Sequence, residues 1–497
     1  MTSNTDKEFS RCLLPATAKT PKFWSFARNP KMAKHFLLFF VSILTLVSAS
    51  PVENESSSKK HSFKKRHPLP PLPGNDTWYA VPDNIADYNP GDIIKWRNVP
   101  NALSVDNLSP IRPQAVYQMQ YRTTDSVGDA TASVVTAIIP FNPSPDHLFA
   151  YAYFSDSAAP RCNPSLAMQL GTPADAIFTK IQLAPIISAL DQGWIVSVAD
   201  DGGPYAAFPS GPGMGYRTLD SLRAMKQSGN LTGLSSDPTI TLNGYSGGGI
   251  TAAWTGEMHP LYAPELKIDG IALGGLVPDF VYLSNIIKAQ QGYFAWGPVT
   301  FVGLSHDYRN LSTWLDENLN PSTADAFWAT ETYCIDGNAN VFTNIDTCNY
   351  FTQGCESWND DIPMQTLQEG AVMGMRATPI APWYLYETVG DQTSPVNITT
   401  ALYEKYCANG ASILYEQNQV PISHSDESYA GWPGAFAWMK ERHAGTPLPY
   451  SGCIMTDVSS YTIAAAWPLP IIQTVFQTLI ATLGIPVGAI PGTTFLP

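Results

Sequence analysis

The stretch Thr239–Ile250, TITLNGYSGGGI, most constrains what this chain can fold into. A short β-prone run enters Gly244-Tyr245-Ser246-Gly247-Gly248, and a segment with few breakers, Thr251–Glu257, leaves it. Strand, sharp turn and helix in that order make a nucleophile elbow, G-x-S-x-G. The requirement is steric. Ser246 must sit in a strained turn so that its oxygen projects above a sheet, and small residues at Gly244 and Gly248 let strand and helix approach closely. At the helix N-terminus the amide of Gly247 points where an oxyanion would form. The competing explanation is a glycine-rich turn whose serine only caps the helix. Partners for Ser246 decide between them.

The flanking sequence alternates strands with helices. Ala115–Arg122 and Thr131–Ile139, joined by polar Asp125–Asp129, predict an antiparallel hairpin. Leu148–Phe154 (LFAYAYF) has the unbroken apolar character of a strand buried on both faces. A helix over Ala174–Asp191, a strand over Trp194–Ala199, a helix over Thr218–Ser228 and a strand over Ile268–Leu276 follow. The expected class is α/β, a mostly parallel central sheet flanked by helices, with ligands bound at the carboxyl ends of the strands. From 278 to 377 the alternation stops, and aromatics, turns and three cysteines predict a helical cap inserted over the active site. Pro379–Val389 resumes as a strand, Ala401–Ala408 as a helix, Ser412–Gln417 as the last strand and Tyr429–Arg442 as the closing helix. At 497 residues and 44% hydrophobic content, the chain can bury one large core with insertions. Its two halves span 67–277 and 378–453, and an apolar tail spans 454–497.

In this fold the nucleophile is followed by an acid after a later strand and then by a histidine. Asp391 stands in Gly390-Asp391-Gln392, past the Trp383–Val389 strand, and His424 in Ser423-His424-Ser425, past the Ser412–Gln417 strand. Both are expected in loops at the same end of the sheet as Ser246. Only His424 and His443 follow Asp391, and His443 ends a helical segment, where a histidine usually complements the C-terminal dipole. A turn aspartate before Pro395 is the alternative explanation of Asp391, and Asp426 and Glu427 are rival acids that reach the ring only if the loop folds back. His424 would take the Ser246 proton, Asp391 would fix the imidazole tautomer, and Ser246 would attack an acyl carbonyl. A second oxyanion donor should come from Ser155-Asp156-Ser157, after the Leu148–Phe154 strand.

Charge and targeting signals narrow the setting. The formal charge is −14, yet the first 66 residues hold 12 Lys/Arg and 4 Asp/Glu, which leaves 16 basic against 38 acidic residues in the body. So acidic a body is a poor partner for nucleic acid or for a basic membrane-anchoring role. Phe36–Val47, preceded by Lys34 and His35 and followed by Ser48-Ala49-Ser50, predicts a signal peptide, with translation expected to start at Met32. Lys64-Lys65-Arg66 ends a polar pro-segment and predicts a mature start near His67. Cys162, Cys334, Cys348, Cys355, Cys407 and Cys453, an even set without C-x-x-C pairs, suggest disulfides of an oxidising compartment, not a metal site. Asn75, Asn107, Asn230, Asn310 and Asn397 head glycosylation sequons. No cofactor and no metal are expected. The tail segment Ala464–Pro486 is apolar but broken by Pro468, Pro470, Gln473 and Gln477, which favours a flap or a lipid-facing surface over a membrane span.

Gly-Tyr-Ser246-Gly-Gly, Phe-Ser-Asp156-Ser, Gly-Asp391-Gln and the run from His424 through Gly-Trp-Pro-Gly-Ala-Phe-Ala-Trp together resemble the fungal secretory lipases of the lipase A type, from about Asn89 to Cys453. The resemblance implies an α/β-hydrolase with a helical lid that hydrolyses triacylglycerols, with Asp156 and Gly247 as oxyanion amides. It also implies that Cys162 bridges to the cap and that Cys407 pairs with Cys453. Of the three cap cysteines Cys334 is favoured as the partner of Cys162, leaving Cys348–Cys355. The expected protein is a secreted monomer acting on a lipid or ester substrate. A carboxylesterase on short-chain or plant-wall esters, and a non-catalytic relative that binds lipid, are the alternatives; a peptidase on the same fold ranks last.

Overall fold

The apolar runs form one ten-stranded sheet. Its strands are β1 (Ile93–Asn98), β2 (Ala115–Thr124), β3 (Ala130–Ile139), β4 (Ser144–Ala152), β5 (Trp194–Ala199), β6 (Thr239–Tyr245), β7 (Gly270–Gly274), β8 (Trp383–Thr388), β9 (Ile413–Asn418) and β10 (Cys453–Val458). The order across the sheet is β1-β2-β3-β5-β4-β6-β7-β8-β9-β10. The first three strands and β5 pair antiparallel, and the sheet is parallel from β5 to β10. This computed structural model describes residues 67–289, 296–459, 478, 481–482 and 486–488. The chain divides into two compact units, 1–63 and 64–497, and every described residue lies in the second. The expected signal peptide and pro-segment, and most of the apolar tail, lie outside the described residues.

Parallel central strands are covered on both faces, so they tolerate few polar residues. Every residue of β5, β7 and β8 is buried accordingly. One face is covered by the helices Gly211–Gln227 and Gly247–Tyr262, which bring Met214, Leu219, Leu222 and Trp254 into the core. The other is covered by Leu183–Asp191 and Trp432–His443, through Leu183, Ile186, Trp438 and Met439. Chain order places β5 on one side of β4 and β6 on the other. This reversal opens a crevice at the carboxyl ends of β4 and β6, the switch point where ligands bind in such sheets.

Several boundaries differ from the sequence-based expectation, each for a local reason. Strands β1 (IIKWRN) and β10 (CIMTDV) give no strong strand signal because both lie at sheet edges and are largely solvated. The segment from Ala174 begins as a 3-10 helix to Gln182 and becomes α-helical only over Leu183–Asp191, with Pro185 in its first turn, where the missing N–H costs no bond. The helix expected from Thr218 starts at Gly211, behind Pro212. The closing helix is two, His424–Ala430 and Trp432–His443, separated at Gly431 with Pro433 opening the second.

Between β7 and β8 the described chain is helical: Phe280–Ala289, Gly297–Asp307, Arg309–Asn318, Ala324–Trp328, Ile335–Phe342 and Asp361–Ala371. Its interior is aromatic. Phe351 meets Phe301, Phe327 and Trp358 edge-on at 5.9, 5.5 and 5.9 Å, contacts worth about 0.5–1.5 kcal/mol each beyond area burial. Cys162–Cys334 ties this region to the segment that leaves β4, Cys348–Cys355 closes a loop inside it, and Cys407–Cys453 joins the helix Val396–Ala408 to β10. No helix among the described residues is long and apolar enough to cross a membrane.

Candidate active site

Ser246 follows β6 directly and has φ 56° and ψ −122°, a backbone conformation that L-residues avoid unless the surroundings enforce it. The enforcement comes from close backbone packing. A Cβ on Gly244 would stand 2.1 Å from the carbonyl oxygen of Gly248, and one on Gly248 would stand 2.1 Å from that of Ala152. Only glycine lets β6, β4 and the following helix meet this way. Although Ser246 occupies the N-cap position, its side chain makes no capping bond. Its oxygen lies 2.8 Å from His424 Nε2 instead. The helix-capping explanation of the elbow serine is therefore excluded.

His424 heads a short helix whose cap is Ser423, not an open loop as expected; the Ser423 hydroxyl accepts from Asp426 N. That helix start fixes the histidine backbone, which is held twice more: Tyr245 OH donates to the His424 carbonyl at 2.6 Å, and His424 N donates to Gln392 Oε1 at 3.1 Å. Nδ1 lies 2.6 Å from Asp391 Oδ2, and a carboxylate can only accept, so Nδ1 carries the proton and Nε2 is free to accept one from Ser246. The other oxygen of Asp391 accepts from Thr393 N and Ser394 N at 2.9 and 2.7 Å. Asp391 is thus both the turn aspartate that its sequence suggests and the partner of the histidine. Beneath it Glu387 is fully buried; burial first, and the Asp391 charge second, push its carboxyl well up.

The rival groups point elsewhere. Asp426 pairs with Ser423, and Glu427 accepts from Asn418 Nδ2 at 2.6 Å. His443 does not complement a helix dipole. It is buried, with Nε2 2.8 Å from Thr241 Oγ1 and Nδ1 3.1 Å from His147, and burial together with His147 pushes its pKa down to about 3. It is therefore neutral, a packed core residue.

At the end of β4 the chain turns through Asp156, another residue at positive φ (43°). A Cβ on Gly247 would lie 1.8 Å from Asp156 Oδ1, so the two residues are in close apposition across the β4/β6 crevice. Asp156 Oδ1 is buried with no hydrogen-bond partner among the described residues, and Asp156 N donates to no other residue there. Burial raises its carboxyl to about 7, opposed by His424 and helped by Asp201, which sits at the end of β5 and itself rises to about 6 through burial. Sequence reasoning picked out Asp156 but not the acid beside it, nor Tyr245 and Gln392. The last two are neighbours of Ser246 and Asp391 in sequence, the one signal that could have found them. Ser157 Oγ donates to the Tyr333 carbonyl at 2.7 Å, which links the segment after β4 to the helical region.

Of the sequon asparagines, Asn75, Asn230, Asn310 and Asn397 are exposed. Asn107 is half-buried and its amide is engaged: Oδ1 accepts from Gly171 N and Thr172 N, and Nδ2 donates to the Thr172 carbonyl. Among the described residues no group of three or more His, Cys, Asp or Glu is placed to hold a metal.

The family model described as secretory lipase matches residues 168–450. Lipase A of Arthroderma benhamiae is 32% identical over 461 residues, covering 91% of this chain and 97% of that protein. A trichothecene C-3 esterase of Fusarium sporotrichioides is 31% identical over 414 residues, covering 80% and 89%. The X-ray structure of Candida antarctica lipase A in its closed state shares the fold, with a TM-score of 0.70 at 24% identity over 85% of this chain and 100% of that one.

Proposed function

The chain belongs to the secretory lipase family and is an ester-hydrolysing lipase, and from that premise we propose that Ser246, His424 and Asp391 cleave acyl glycerols through an acyl-enzyme. The observation that carries this is the hydrogen-bonded line from Ser246 through His424 to Asp391, at 2.8 and 2.6 Å. Ser246 Oγ attacks the ester carbonyl while His424 Nε2 takes its proton, and Asp391 steadies the imidazolium. The tetrahedral oxyanion receives the amides of Gly247 and Asp156, each worth roughly 100–1000-fold in rate. His424 then protonates the departing glycerol oxygen. Water, deprotonated by the same nitrogen, releases the fatty acid and restores Ser246.

We further propose that the helical region 278–377 acts as the lid, that the protein works outside the cell as a monomer, and that the apolar tail meets lipid. A second substrate class, esters other than acyl glycerols, for which soluble short-chain esters serve as the probe, is favoured by the relative named a trichothecene C-3 esterase. Hydrolysis of emulsified triacylglycerol and of soluble short-chain esters by wild type and Ser246→Ala tests both. Activity on neither substrate, with normal folding and no labelling by a fluorophosphonate, overturns the proposal; activity on soluble esters alone selects the second class.

A further inference from the structure

His67, the residue after Lys64-Lys65-Arg66, is held at every polar atom its neighbours can reach. Its backbone nitrogen donates to Asp316 Oδ2 at 2.8 Å, and its carbonyl accepts from Arg309 Nη2. Its ring stacks flat on Trp328, with centroids 3.7 Å apart and planes 3° off parallel. The ring Nε2 lies 3.2 Å from Glu331 Oε2, and the other Glu331 oxygen meets His306 Nε2 at 3.0 Å. All of these partners belong to the helical region, more than 230 residues away in sequence. The following residues pass exposed Leu69 and buried Pro73 toward the turn at Pro160–Cys162 and Leu166.

A residue in the middle of a processed linker has no need of such a seat; a chain terminus does. Asp316 is partly buried, which raises its carboxyl against the His67 N–H and the charges of His67 and Arg309, with Glu317 adding to the rise; it makes no ion pair among the described residues. An α-ammonium in that place would supply three donors and a full positive charge in direct contact with the carboxylate, and charge-assisted bonds are about twice as strong as neutral ones.

We propose that the Arg66–His67 bond is a maturation site, and that the amino terminus freed there is bound by Asp316 as the anchor between the leader and the helical region. Water adds across the peptide bond under an endopeptidase specific for basic pairs. Arg66 keeps the new carboxylate, and His67 becomes the α-ammonium terminus. The proposal rests on passage of the chain through the secretory route, but not on the catalytic roles given above.

The test is to express the full chain through a fungal secretory route and to read the amino terminus of the product by mass spectrometry. Its reactivity toward a trace acylating reagent at pH 7 is then compared in wild type, Asp316→Asn and a variant with one glycine inserted between Arg66 and His67. The expected terminus is His67, acylated about tenfold more slowly in wild type than in either variant, the factor that one unit of raised amine pKa gives. The insertion keeps Asp316 and the core intact, so it answers the question even if Asp316→Asn folds poorly. A terminus at any other residue, or equal acylation rates in wild type and the insertion variant, overturns the proposal. Ser246→Ala run in parallel separates the two ideas: it should be processed identically while losing ester hydrolysis.

Discussion

Replacing Asp156 by Asn should stabilise the protein at pH 8 and leave its stability unchanged at pH 4. The carboxyl is buried, one of its oxygens has no partner, and its pKa is about 7 against an ordinary 3.8. The native state therefore holds the proton more tightly than the unfolded chain does. Below pH 4 both states are protonated and nothing is lost; stability then falls as pH climbs from about 4 to about 7, and the whole cost is carried above that. Roughly three units at about 1.4 kcal/mol each set a ceiling near 4 kcal/mol. Asp201 shares in the same repulsion, so about 2–4 kcal/mol is the expected gain at pH 8. Asparagine cannot ionise, has nearly the same shape and tolerates the left-handed backbone at this position. Denaturant unfolding of wild type and variant at pH 4, 6 and 8 reads the difference directly. The variant keeps its backbone amide, so ester hydrolysis should persist. Its kcat relative to wild type should rise with pH through 7, because an ionised Asp156 opposes the nascent oxyanion by ~3 kcal/mol at a separation of ~5 Å and an effective dielectric of ~20. A stability difference that stays constant from pH 4 to pH 8 would refute the reasoning.

Three further outcomes follow from the same geometry. Ser246→Ala should lose about 10⁶-fold in turnover and all fluorophosphonate labelling, at an unchanged denaturant midpoint. Asp391→Asn should lower kcat about 10⁴-fold, since the amide leaves the wrong imidazole tautomer favoured; a rate within tenfold of wild type would remove Asp391 from the triad. Breaking Cys162–Cys334, whose partners are 172 residues apart, by replacing both with Ser should cost up to about 5 kcal/mol in the chain-entropy account, read as a lower unfolding midpoint under non-reducing conditions.

The fold and the three side chains that meet at the candidate site were legible because each depends on a local signal. The elbow declares itself within five residues, since no other residue than glycine fits at 244 and 248. Asp391 and His424 each follow a recognisable β-strand, and parallel strands bring everything past their carboxyl ends to one rim. Edge strands β1 and β10 were illegible for the opposite reason: half-solvated and mixed in composition, they become strands only because β2 and β9 offer a free edge.

What sequence reasoning could not reach at His443 and Asp156 is the state of the side chain, which burial and neighbours far along the chain set. The MKERHAG context of His443 describes a helix end, yet burial first, and His147, 296 positions earlier, second, push its pKa down and leave it neutral. Sequence reasoning offers Asp156 for its backbone amide, but not that its carboxyl lies under Gly247, at the start of the helix after β6, with Asp201 approaching from the end of β5. At its ordinary pKa it would place a negative charge where the proposed reaction must build one. Burial that keeps this carboxyl protonated into the neutral range is what makes an acidic residue compatible with the proposed oxyanion site. The same burial ties the chemistry to pH through a group that no motif marks.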